Sequence, residues 1–164
     1  MVYVGCVLII CLSAMVGKAV VKIYVLRDKF YKEMLNFIRY LIVEIDFYQT
    51  KICDLFDRYI NENKLEFEMQ LCELKEMLLG GKSANDLLSM KNFYFLKREE
   101  QNTLKTYFLQ MGIKGVEIEI NNLKKIEDWL RKKSEESSVS RKNNEWLIYK
   151  VSLALGAVFC ILIV

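Results

Sequence analysis

The sequence predicts an all-α fold, a helical bundle held between an N-terminal and a C-terminal transmembrane helix. Three observations carry this. Met1 to Gly17 and Val151 to Val164 hold no charged side chain, so every Lys, Arg, Asp and Glu lies between them. Proline is absent and glycine is limited to seven, so hard breaks in helix are few. Between the apolar ends, large side chains recur at helical spacing rather than at the alternation of strands.

The N-terminal element, residues 1–24, opens with the run Val2 to Val16 and resumes after Lys18 and Lys22. Those two lysines are one helical step apart, where both can snorkel to a membrane surface. A cleaved signal peptide would need a basic segment before the run and a small-residue cleavage site after it, and neither is visible. A retained anchor is the expectation.

The central domain, residues 25–145, begins on a stripe of Met34, Ile38, Leu41, Ile45, Tyr48, Ile52, Leu55 and Tyr59, spaced alternately four and three. Phe30, Phe37 and Ile42 widen that face beyond a two-stranded seam, which favours packing in a bundle. One amphipathic helix from about Lys22 to Asn61, continuous with the anchor, is predicted. A second helix covers Leu65 to Leu79 with Phe67, Leu71, Leu74 and Leu78 on one side, ended by Gly80-Gly81. Ser83 and Asp86 resemble a capping box for a short helix through Met90. A further helix spans Asn92 to Met111 and closes at Gly112. The last long helix starts near Gly115 and carries Val116, Ile120, Leu123, Ile126 and Leu130. Ser134 to Ser140 reads equally as a hinge or as weak continuous helix.

The C-terminal element, residues 146–164, has its apolar run from Leu147, eighteen residues or about 27 Å of helix. Trp146 and Tyr149 sit where an aromatic belt belongs, beside Lys150. Residues 18–29 and 131–150 each carry a net +3, which leaves −3 for residues 30–130 of a chain whose total is +3. Positive charge therefore flanks both apolar segments, and the positive-inside rule places the central domain in the cytoplasm. The membrane-interface residues are Lys18, Lys22, Arg27, Trp146 and Lys150. The acidic middle offers Asp54, Asp57, Glu62, Glu66 and Glu73, with Glu68 and Glu76, as candidate partner-binding residues for a basic surface.

Chemistry of other kinds finds little support. Histidine is absent, which removes Ser-His-Asp and Cys-His catalysis and the commonest metal ligand. Gly80-Gly81-Lys82-Ser83 resembles the end of a phosphate loop, but Glu76 stands where its first glycine belongs. Glu99-Glu100 and Glu135-Glu136 are adjacent in sequence, point apart on a helix, and read as solvated face. The five cysteines, Cys6, Cys11, Cys53, Cys72 and Cys160, are too scattered for a disulfide framework or zinc site and read as small buried hydrophobes. A non-enzymatic protein with no cofactor, no metal, no nucleic acid and no small-molecule substrate is expected.

Several short motifs appear in a specific order: Gly5 and Gly17 in the first apolar segment, Tyr24 and Arg27, then Glu44-Ile45, Phe47 and Thr50, and Lys142-Asn143 ahead of the terminal apolar helix. In this order the chain resembles the stage III sporulation protein AB family over nearly its whole length. Lys51 departs from the family's proline. The resemblance implies a structural component of the channel complex between mother cell and forespore, similar to the inner-membrane platform protein of type II secretion. It implies sporulation channel membrane proteins and a cytoplasmic secretion-type ATPase as partners, and the outer forespore membrane as location with the domain in the mother cell. The alternative is a membrane-anchored coiled-coil scaffold or signalling protein, with Met34 to Tyr59 as its dimer seam.

Overall fold

The computed structural model describes residues 2–48, 52–63, 65–79, 91–112 and 115–163. Five α-helices and no strand occur among them: α1 (Val2–Tyr48), α2 (Ile52–Glu62), α3 (Glu68–Leu78), α4 (Arg98–Leu109) and α5 (Val116–Ile163), with a 3-10 turn at Lys91–Phe93. Two compact units divide the chain. One pairs Met1–Lys29 with Glu135–Val164; the other is Phe30–Ser134.

The Phe30–Ser134 unit is the bundle. Phe30 is fully buried and meets Phe67, Phe93 and Phe95 edge-on at 5.3, 5.6 and 5.3 Å between ring centroids. It thus pins α1 to the start of α3 and to the turn before α4, with geometry that suits the ring quadrupoles. A second knot joins Phe37 to Phe56 (4.6 Å) and Tyr59 (4.9 Å), and Phe56 to Phe108 (6.3 Å). Leu123, Ile126 and Leu130 bury the inner face of α5, as their spacing predicts, while Trp129 packs on Tyr31 and Tyr107. Val116, at the helix start, stays exposed.

Helix ends follow local chemistry. Glu100 reaches back to accept the backbone N–H of Lys97 at 3.0 Å, satisfying one orphan donor at the start of α4. After α4, Gly112 takes φ +76°, a conformation that glycine adopts without steric cost.

The long helix expected to reach Asn61 instead stops at Tyr48, and α2 folds back beside it. Tyr40 and Tyr59 would be about 28 Å apart on one straight helix; their ring centroids are 5.0 Å apart. The stripe is therefore two stripes, Met34 to Ile45 and Leu55 to Tyr59, which face each other within one chain and bury there. Tyr48, in the middle of it, is 71% exposed. The intramolecular contact consumes the surface that a dimer seam would use.

The helix expected from Asn92 begins only at Arg98. Phe93, Phe95 and Leu96 are buried from a turn instead, where three apolar side chains can face one core without a helical repeat. Residues Ser134 to Ser140 are continuous helix within α5. The Gly80-Gly81 stop, the phosphate-loop-like Lys82-Ser83 and the Ser83-to-Met90 helix lie outside the described residues. Two further expectations are corrected. Four of the cysteines are not core hydrophobes: Cys11 and Cys72 are exposed, and Cys53 and Cys160 half-buried. Glu100 is not solvated: it is 5% exposed, held by its bond to Lys97 and by Lys133 Nζ at 4.0 Å.

Candidate functional site: the paired apolar helices and an acidic groove

In the unit made of both chain ends, the apolar parts of α1 and α5 lie side by side and antiparallel. Where they cross, the contact is made by small residues. A Cβ added at Gly17 would collide with the Ser152 side chain, 3.1 Å from its Cβ, and one added at Gly156 would lie 2.9 Å from Ser13 Oγ. Ser13 and Gly17 are four apart on α1, and Ser152 and Gly156 four apart on α5. Each helix thus carries a small-xxx-small pair that lets the backbones approach.

Large apolar side chains point outward: Leu12 is 61% exposed, Val16 62%, Phe159 54% and Ile161 77%. Only 11% and 6% of the apolar windows of α1 and α5 is buried. A core helix of a water-soluble bundle would show the reverse, so the exposed surface suits acyl chains. A shallow groove of about 270 Å³ along the pair, lined by Ile9, Leu12, Val16, Leu155 and Phe159 among others, is of the same apolar character.

The predicted interface residues flank this surface. Lys18 and Lys22 are exposed, and Arg27 is half-buried. Lys150 Nζ stands 3.1 Å above the centre of the Trp146 ring, a cation–π pair between positions i and i+4. Sequence reasoning missed the adjoining cluster. Asp28 is 1% exposed, and its two carboxylate oxygens accept from Ser138 Oγ at 2.5 Å and Arg141 Nη1 at 3.1 Å. Arg141 also meets Glu145 at 3.5 Å. The partners of Asp28 lie more than a hundred residues away, so the sequence carries no local signal. The small-residue spacing at 13/17 and 152/156 was visible and would have pointed to the crossing.

In the bundle, the acidic candidates separate. Glu68, Glu73 and Glu76 line one groove on α3 of about 300 Å³, together with Met69, Cys72 and Asn92. Asn92 Nδ2 donates to Glu73 at 3.1 Å, which leaves the groove acidic with an exposed Met69 in it. Asp57 is engaged elsewhere: both its oxygens accept from Lys75 Nζ at 2.6 Å, and that bond to Asp57 raises the Lys75 pKa above its ordinary 10.5. Asp54, Glu62 and Glu66 are exposed and are not among the groove residues. Burial, and after it the Glu44 charge, raises the Tyr40 phenol, while burial and then Glu33 raise Tyr59, so both stay neutral packing groups on the α1–α2 contact. Among the described residues no cluster of metal-ligating side chains occurs.

Two long helices with lipid-suited surfaces and a helical bundle define a membrane-associated, all-α protein. A family model for stage III sporulation protein AB matches residues 3–164, and the chain belongs to that family, with a role in stage III of sporulation. No curated protein and no solved structure matches it.

Proposed function

We propose that the protein is a non-enzymatic membrane platform of the sporulation channel between mother cell and forespore. Both apolar helices span the bilayer, the bundle faces the cytoplasm, and the acidic α3 groove receives a basic surface of a secretion-type ATPase. Supporting this are the family, the basic residues flanking each apolar segment, and the similarity of the family to type II secretion platform proteins. By the same similarity the membrane is the outer forespore membrane and the bundle lies in the mother cell, beside other channel proteins. The observation that carries the docking is the convergence of Glu68, Glu73 and Glu76 around exposed Met69. Opposite charge speeds encounter and sets orientation, and the apolar centre supplies burial.

The test is co-purification of the full-length protein in detergent with that ATPase at low and high salt. Binding that falls with salt, and that Glu73→Lys with Glu76→Lys abolishes while helicity is kept, is the expected result. A folded protein that retains no ATPase at low salt contradicts the reading.

A further inference from the structure

One face of the helix pair is grooved along its length. Next to the stretch of about 270 Å³ between Ile9 and Phe159 lies a second of about 220 Å³, lined by Val20, Leu147, Ile148 and Val151 among others. The two stretches share Val16, Ser152 and Leu155, so they form one trough. From Phe159 to Leu147 it follows about 18 Å of helix, close to the roughly 15 Å that one leaflet contributes to the hydrocarbon core. A helix with its side chains is about 10–12 Å across and too wide to sink into it. A single hydrocarbon chain fits.

The rows that line the trough end in polar residues. On α1, Val16 and Val20 are followed at helical spacing by Ile23 and Arg27. On α5, Leu155, Val151 and Ile148 lead in the same way to Asn144 and Arg141. Arg27 and Asn144 are half-buried. Residues 18–29 and 141–150 hold seven cations against two carboxylates, Asp28 and Glu145, and Arg141 contacts both of those. This end of the trough is therefore positive. Lys18 and Lys22 stand roughly 160° and 120° around α1 from Val16, away from the trough.

We propose that the trough holds one anionic phospholipid, with an acyl chain along Val16, Val20, Val151 and Leu155 and its phosphate against Arg27 and Asn144. The guanidinium offers a planar fork that matches phosphate oxygens, and the Asn144 amide adds a donor. Basic pockets between membrane helices hold anionic headgroups by the same chemistry. Charge beside the trough selects the headgroup, and the trough itself selects an acyl chain over a third helix. The inference rests on the two helices lying in lipid and not on the docking of an ATPase, so either can fail alone.

The test uses full-length protein reconstituted in vesicles of equal phosphatidylglycerol and phosphatidylcholine. The protein is taken up in detergent and washed, and its retained lipid is counted by mass spectrometry. About one phospholipid per chain is expected, with phosphatidylglycerol favoured about fivefold, the factor that one cation near an anionic headgroup supplies. Arg27→Gln should bring the ratio near one, Arg27→Lys should keep most of it, and Lys22→Gln should leave it unchanged. Leu155→Trp, at an outward position that fills the trough, should remove the lipid while flotation with vesicles persists. The proposal is overturned by a ratio near one in the natural protein, by a preference that survives Arg27→Gln, by an equal loss in Lys22→Gln or Arg27→Lys, or by a dimer that forms in place of the bound lipid. Protein that does not float with vesicles overturns the two spans and the lipid site with them.

Discussion

The two units of this molecule solve packing in opposite ways. The Phe30–Ser134 bundle hides its largest side chains: Phe30, Phe37, Phe56, Phe93 and Phe108 are fully buried. The paired chain ends bury Gly17 and Gly156 against half-buried serines and turn Leu12, Val16 and Phe159 outward. In water the gain comes from removing apolar area, about 25 cal/mol for each Å². In a bilayer outward apolar area costs nothing, so close backbone approach and a few polar contacts decide the packing. The contrast says which solvent each unit is built for.

Substitutions at matched positions sharpen that contrast. The largest effect is expected at the aromatic hub. Phe30→Ala should destabilise the bundle by about 3–5 kcal/mol, by lost transfer energy plus a cavity among Phe67, Phe93 and Phe95. Chemical denaturation followed by near-ultraviolet dichroism measures it, and a loss below about 1 kcal/mol would break the assignment of the core. Next, Gly17→Leu should separate the helix pair, because even one Cβ there meets Ser152, whereas Leu12→Ala at an outward position should leave the pair intact. A fluorescence-transfer pair across the two helices in liposomes reports both. Equal effects would show that the outward surface is packed against something other than lipid.

The smallest effect concerns the surface ion pair. The bond from Asp57 raises the Lys75 pKa. The stabilisation it confers is complete below the ordinary lysine value near 10.5 and is lost as pH rises through the higher folded value. For a pair this exposed the loss should stay below about 1 kcal/mol. Denaturation midpoints at neutral pH and above pH 10.5, compared between the natural protein and Asp57→Asn, isolate it. A difference that grew with pH would reverse the sign of the argument.

Much of this architecture was legible because it depends on periodicity and on where charge is absent. The apolar ends, the buried face of α5 from Leu123 to Leu130, and the stop at Gly112 follow from spacing and from glycine geometry. The packing of α2 back against α1 was not legible. Gln49, Thr50 and Lys51 include neither glycine nor proline, and the apolar phase runs through them unchanged, so the fold-back leaves no mark in the pattern. Tertiary pairing of Phe37 with Phe56 and of Tyr40 with Tyr59 decides it. In the sequence Asp28 is one charge in a basic flank, because Ser138 and Arg141, which bind it, are distant along the chain. Sequence alone gives Glu100 the same solvated character as Glu99; a helix start that needs an acceptor for the Lys97 N–H explains why only one of the two turns inward. Among the acidic candidates, placement on one helix grouped Glu68, Glu73 and Glu76, while Asp57 was claimed by Lys75, a competition that composition cannot display.

The proposed platform has two spans with the bundle on the cytoplasmic side, and vesicle topology tests that arrangement most directly. In sealed inside-out membrane vesicles, Cys72, exposed on α3, should react with an impermeant maleimide, while a tag fused to either end of the chain should become reachable only after detergent. A tag at either end that is reachable in intact inside-out vesicles, or a Cys72 that reacts only after detergent, would contradict it.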